Sequence, residues 1–286
     1  MISKGTQYLS AAGFGNIRVT AASMGSLDIL NSFPYLTGAW LTASSKQAII
    51  DEYGDEQGAI AIAALKAEYA QIYRTEGREA ADAWGALVNA SPVSYAGFVL
   101  DYTQIAWLGG GGTRYIITDY TPKGNTKIVL DAQFTLINNV GWIYGSRGSN
   151  IYALATNSAT NQWIFGYNGN IGNGHMSGHT LDTDRHMFTN DKGKLYIDDW
   201  NGFNYSQVNY TCQYPMGIFK SNGSGSTTAC NGAKIYGMQV YEDDVLVRQY
   251  VPAIRKSDNV AGLYEMVVGA FWTNNGSGTF DTPSTP

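Results

Sequence analysis

Through the first 43 residues, short apolar runs such as Tyr8-Leu9 and Ile17-Arg18-Val19 alternate with Gly, Ser and Asn, a pattern of short strands and turns. At Ser44 the character changes. Ser44-Ser45-Lys46-Gln47 has the form of a capping box, in which Ser44 caps an amide and Gln47 reaches back, so a helical region is expected from 44 to about 89. Within it Ile62, Leu65, Tyr69, Ile72 and Tyr73 recur at helical spacing and make one apolar stripe among Ala, Glu and Lys. Gly54, Gly58 and Gly77 are the points where that helix should break or loosen. The stripe has two readings: a seam between copies of the chain, or a face lying on the chain's own N-terminal strands. Asn89-Ala90-Ser91-Pro92 should end the helix, because proline cannot continue it. A boundary near Pro92 follows, with an N-terminal region 1–92 and a second domain 93–286.

Beyond Pro92 the period shortens to that of strands. Runs are expected at 94–100, 115–118, 127–136, 142–145, 151–155, 162–167, 186–190 and 194–198, and again at 217–220, 233–242, 245–252, 262–265 and 271–273. Each is rich in Tyr, Ile, Val, Trp or Phe and bounded by Gly, Asn, Asp or Ser, the signature of a sandwich. Asn190-Asp191-Lys192-Gly193 and Glu242-Asp243-Asp244 stand where hairpin turns belong.

Composition supports this. Charged residues make up 14% of 286 residues, against about 25% in an average soluble protein, while Gly and Tyr number 34 and 20. The net charge of −5 gives no electrostatic reason to approach phosphate, so nucleic acid is not an expected partner. Met1-Ile2-Ser3-Lys4-Gly5 leads into polar sequence rather than the apolar core of a signal peptide, and no run reaches the length of a bilayer span. Folding in a cytoplasm, or exit without a cleaved signal, is the expectation. Cys212 and Cys230 then read as two free thiols.

Several segments carry a family likeness. Thr103-Gln104-Ile105-Ala106-Trp107-Leu108, Gly112-Thr113-Arg114-Tyr115-Ile116 and Thr121-Pro122-Lys123-Gly124-Asn125-Thr126-Lys127-Ile128 resemble the opening of LamG-like, concanavalin A-like domains in phage and prophage tail proteins. Ile235-Tyr236, Tyr241-Glu242, Leu246-Val247-Arg248, Val251-Pro252-Ala253, Arg255-Lys256-Ser257-Asp258, Gly262-Leu263-Tyr264 and Gly276-Ser277-Gly278-Thr279-Phe280 are similar to the close of such domains. The resemblance covers residues 100–281. It implies a mainly β fold, a concanavalin A-like jelly-roll sandwich, preceded by a small α+β N-terminal region with one or two helices. It departs from the family at Gly109–Gly112, read as a tight turn inside the domain, and at Glu242-Asp243-Asp244, where the family often has Gly.

The resemblance also implies a virion module contacting carbohydrate or protein. The expectation is a non-enzymatic head-fibre, tail-fibre or capsid-decoration protein, located on the virion and displaying the sandwich to host-surface or environmental glycans. Residues 1–92 would be the attachment and oligomerisation part, joining other virion proteins and copies of this chain, as a trimer. A purely structural virion protein, whose sandwich binds neighbouring proteins, is the alternative. Glycoside hydrolysis is a third.

Chemistry in the residues bears on these. Glycosidases need two carboxylates flanking the bond, about 5–5.5 Å apart in retaining enzymes, and no Glu-x-Asp-x-Glu strand exists. Asp51-Glu52-Tyr53-Gly54-Asp55-Glu56 reads as a solvated helix face, and Asp198-Asp199 point to opposite sides of a strand end. His175, His179 and His186 invite a metal, but Gly and Ser around the first two make a loop without thiol or carboxylate partners, so no metal or cofactor is expected. For binding, Trp142, Tyr144, Arg147, Trp200, Phe203 and Tyr205 are the candidate glycan contacts. Flat rings with polar tips beside Asn, Asp and Arg suit sugar faces and hydroxyls; most such rings should pack, and the exposed ones are expected in the loops Gly145–Gly148 and Asp199–Phe203.

Overall fold

The computed structural model describes residues 7–8, 18–19, 38–137, 140–173, 180–224 and 228–284. They fall in two compact units, Met1–Leu100 and Asp101–Pro286.

In the first unit β1 (Gln7–Tyr8) pairs antiparallel with β2 (Arg18–Val19). The remainder of the strands expected before residue 38 lies outside the described residues. Three helices follow: α1 (Ala43–Thr75), α2 (Arg78–Ala90) and α3 (Pro92–Asp101). The helix cap is Thr42 rather than Ser44, with the Thr42 hydroxyl accepting from Ser45 N at 3.1 Å. Gly54, at φ 76°, kinks α1, and Gly77, at φ 95°, starts α2, so both act as the breaks expected of them. Gly58 instead lies buried inside α1.

Among the described residues, the stripe on α1 packs in part against α2 and Trp40. Leu65 and Tyr69 are buried, and Tyr69 packs with Ala81 of α2 and with Trp40, whose ring stacks on it at 4.5 Å and 7°. Gly85 permits that approach, since a Cβ there would stand 3.1 Å from Trp40 and 3.2 Å from Tyr69. Asn89 ties the unit together. Its carbonyl accepts from Thr42 N and the Ser45 hydroxyl, and its amide donates to Trp40 and Gly85 carbonyls. The strand expected at 94–100 is a helix. Pro92 occupies its first position, where a missing N–H costs nothing, and the buried residues Tyr95 and Phe98 share a helical face.

Beyond the last residue of α3, the regular elements described in the second unit are strands. Its elements are β3 (Tyr102–Gln104), β4 (Leu108–Gly110), β5 (Ile116–Ile117), β6 (Thr126–Leu136), β7 (Gly141–Arg147), β8 (Ile151–Asn157), β9 (Gln162–Tyr167), β10 (Asn170–Asn173) and β11 (Arg185–Asp191). Then come β12 (Lys194–Ile197), β13 (Trp200–Asn204), β14 (Gly217–Ile218), β15 (Ser221–Gly223), β16 (Gly232–Glu242), β17 (Val245–Arg255), β18 (Ala261–Glu265) and β19 (Ala270–Trp272). One sheet of seven strands runs β10-β9-β8-β7-β14-β5, with β15 parallel to β7. The other, of ten, runs β13-β12-β11-β6-β16-β17-β18-β19, with β3 on β17 and β4 on β16.

The two sheets share one core. Ile128, Leu130 and Phe134 of β6, Phe188 of β11 and Val240 of β16 meet Tyr144, Tyr152, Leu154, Trp163 and Phe165 of the facing sheet. Strict alternation on β6, with 126, 128, 130, 132 and 134 buried, sends Lys127, Val129, Asp131 and Gln133 to the outer face. The buried tyrosines keep their polar tips occupied: Tyr152 donates to the Thr126 and Asn190 carbonyls, and Tyr167 to that of Gly124. Both expected hairpins form. Lys192 and Gly193, at φ 52° and 97°, and Asp243 and Asp244, at 48° and 65°, put positive φ at both central positions, as two-residue hairpins require. Gly109 and Gly110 belong to β4, and the turn comes after them, where Gly111 and Arg114 exchange backbone hydrogen bonds. Cys212 and Cys230 are separate buried thiols, whose desolvation pushes them up to about 11 and about 12 respectively. Among the described residues, no helix is long and apolar enough to cross a membrane.

Candidate functional site

The expected ring platform is mostly packing. Trp142 and Tyr144 are 2% and 1% exposed, which removes their faces from any ligand in solution. Gly145–Arg147 are the end of β7 rather than a loop, and Arg147 lies over the Trp142 ring at 4.4 Å. Trp200 begins β13 rather than standing in a turn, and packs half-buried against the core. Tyr205 is half-buried, stacked parallel to Tyr167 at 6.4 Å. The side chain of Phe203 lies outside the described residues, as do His175 and His179.

His186 is bound up between two carboxylates. Its Nδ1 stands 2.6 Å from Asp198 and its Nε2 2.8 Å from Asp182, with the ring edge-on to Trp163 and Phe188. Among the described residues no cluster of three His, Cys, Asp or Glu could hold a metal ion. Burial lowers the imidazole pKa, but the bonds to Asp198 and Asp182 outweigh it, and the net shift is upward. A raised folded pKa means that this clamp contributes its full stability below the unfolded value of about 6.5 and loses it as pH climbs through the folded value. Thermal melts are therefore expected to show a stability loss as pH rises from about 6.5, which His186→Phe flattens. An unchanged slope in that variant would disprove the linkage.

An open groove occurs instead on the outer face of the ten-stranded sheet. It has a volume of about 240 Å³ and crosses β11, β6, β16 and β17. Its lining includes Asp131, Met187, Tyr236, Gly237, Gln239 and Gln249. A register shift between Ile235 and Gly237 makes Tyr236 the extra residue of a β-bulge, and leaves Gly237 directly opposite Asp131. That missing side chain opens the floor, since a Cβ at Gly237 would meet nothing closer than the Tyr250 carbonyl oxygen at 3.8 Å.

The groove's polar groups are held in place. Both Asp131 oxygens accept from Arg185, at 2.7 and 2.5 Å, and the Arg185 guanidinium lies over the Tyr236 ring at 3.7 Å. The Tyr236 hydroxyl donates to Gln133 at 3.0 Å. The Tyr241 hydroxyl donates to the Gln239 carbonyl at 2.8 Å, which leaves the Gln239 NH2 as the donor end. Met187, 42% exposed, adds an apolar wall.

No protein-family profile matches the chain, and no curated protein matches it. The geometry of the sandwich thus carries the functional argument.

None of the groove residues stood among the sequence candidates. They lie on regular strands, where nothing local in the sequence separates a ligand contact from a solvated strand face. The available signal was the polar half of the β6 alternation together with a glycine inside β16, the mark of a bulge.

Proposed function

We propose that this chain is a non-enzymatic virion protein whose second unit, a concanavalin A-like jelly roll, adheres to glycans through the outer face of its ten-stranded sheet. The groove itself carries the reading. A tyrosine ring, a carboxylate, two glutamine amides and a thioether around about 240 Å³ suit a small ligand with both hydroxyl groups and apolar ring faces. Among the described residues Asp131 is the lone carboxylate in its lining, so no acid and base pair for glycoside hydrolysis stands among them, which supports binding over turnover. Virion location rests on the family-like segments at the two ends of the sandwich. In that setting the helical first unit serves as the attachment part, contacting other virion proteins and assembling the chain as a trimer.

A glycan array and a pull-down on bacterial cells test the adhesion. Gly237→Leu fills the groove from its floor without a backbone clash, and is expected to weaken glycan binding at least tenfold with the melting temperature nearly unchanged. Silence of the wild-type protein in both assays would favour the second reading, a sandwich that only packs against neighbouring subunits.

A further inference from the structure

Resting on the adhesion reading, we infer that the sheet-face groove selects an uncharged sugar ring, and that the Asp131–Arg185 pair is what sets this preference. The groove volume, about 240 Å³, falls below the usual range of about 300–1,000 Å³ for drug-sized ligands, so it suits one ring of a longer chain that continues into solvent.

Charge then decides which ring. Among the described residues Asp131 is the one ionised group in the lining, and Arg185 neutralises it through two parallel bonds at 2.7 and 2.5 Å. A carboxylated sugar would set its charge beside Asp131, and the N–H groups of Arg185 outside that fork belong to a cation whose charge Asp131 already balances. Two things oppose it: repulsion from Asp131, and an Arg185 charge already engaged by Asp131 and by the Tyr236 ring at 3.7 Å. An amine would find Asp131 already matched. Neutral hydroxyls meet no such cost. Each Asp131 oxygen keeps a second lone pair to accept an O–H, and the Gln239 amide nitrogen can donate to a hydroxyl oxygen. The pair thus works as a repulsive element toward acidic sugars and as an acceptor for neutral ones.

Substitution at the pair makes this testable on the full chain. Asp131→Asn keeps the shape and the acceptor oxygen but leaves Arg185 as an uncompensated cation at the groove. The double variant Asp131→Asn/Arg185→Gln restores neutrality, and Arg185 is exposed enough that neither change threatens the core. The probes are immobilised neutral hexose oligosaccharides and their uronic acid- and sialic acid-bearing counterparts, measured at low and moderate salt. Wild type should prefer the neutral set at least tenfold. Asp131→Asn should reduce that preference tenfold or more through salt-sensitive gain for the acidic set, and the double variant should return it to the wild-type order. Equal or better wild-type binding of acidic glycans would overturn the inference. So would a folded, glycan-binding Asp131→Asn protein with unaltered preference, while adhesion through another surface would then still stand. No binding of any glycan by all three proteins would instead overturn the adhesion reading, and this inference with it.

Discussion

Trp163→Ala is expected to destabilise the sandwich by about 3–5 kcal/mol, the cost typical of deleting a large buried aromatic. Trp163 is fully buried on β9, and its ring contacts Phe188, Phe134 and His186 of the opposite sheet at 5.0, 5.6 and 6.3 Å. It therefore joins the two sheets directly, and its removal leaves a cavity that two hydrogen-bonded layers cannot easily close. For a domain of this size the melting temperature should fall by roughly 6–20 °C. Trp163→Phe should cost much less, because the indole N–H has no hydrogen-bond partner to lose and only part of the volume disappears. Urea unfolding followed by circular dichroism would measure both. Equal losses in the two variants would show that the ring's contacts across the sandwich are not the source.

Glu265→Ala is the second substitution with a large expected effect, about 2–4 kcal/mol, although no ligand is involved. Glu265 is fully buried at the end of β18, a rare place for a carboxylate. One of its oxygens accepts from Gln249 N at 2.8 Å and Val267 N at 3.0 Å, and the other from Val268 N at 2.7 Å. These backbone donors belong to β17 and to the turn toward β19, so the side chain replaces ladder bonds that the chain cannot make where it turns. Without it three N–H groups lose their acceptor, at about 1–3 kcal/mol each for any that stay buried. Solvent can reach the exposed Val268, which limits the total. Glu265→Gln should retain about half the stability, because one oxygen can still accept two bonds while the new NH2 faces the Val268 donor. Chemical denaturation of the two variants tests the order. A neutral Glu265→Ala would mean that water satisfies all three groups.

These two residues differ in how readable they were. Trp163 sits in a short apolar run with turn signals on both sides, and its strand was expected at the residues where it forms. Glu265 gave no comparable sign, since its carboxylate looks in sequence like any exposed strand end. The same division runs through the molecule. Twelve of the expected strand runs correspond to strands of the second unit, because alternation and bounding turn residues are local properties. Strands β3, β4, β10, β13 and β15 were not expected. They are short or Gly-rich, and their strand character comes from pairing with neighbours rather than from their own pattern. The run at 94–100 is a helix where a strand was expected, because a continuous apolar stretch fits a buried strand and a buried helix equally well, and its preceding proline starts a helix as readily as it ends one.

By itself, the sequence determined that this chain is mainly β after an N-terminal helical segment, with two hairpins, whose positive-φ turns favour Asp, Asn, Lys-Gly and similar pairs. Which aromatic rings are buried, and which polar ones remain at the surface, was decided only by the tertiary structure. Trp142 and Tyr144 carry the same chemistry as an exposed binding ring, and burial of both faces of the seven-stranded sheet is what distinguishes them. Tyr236, Asp131 and Arg185 come together because the register of β11, β6 and β16 brings three distant segments to one outer face, and a one-residue bulge sets the ring there. Alternation and turn geometry constrain the register of neighbouring strands, but which distant strands pair, and where a bulge shifts them, is settled only by long-range contacts.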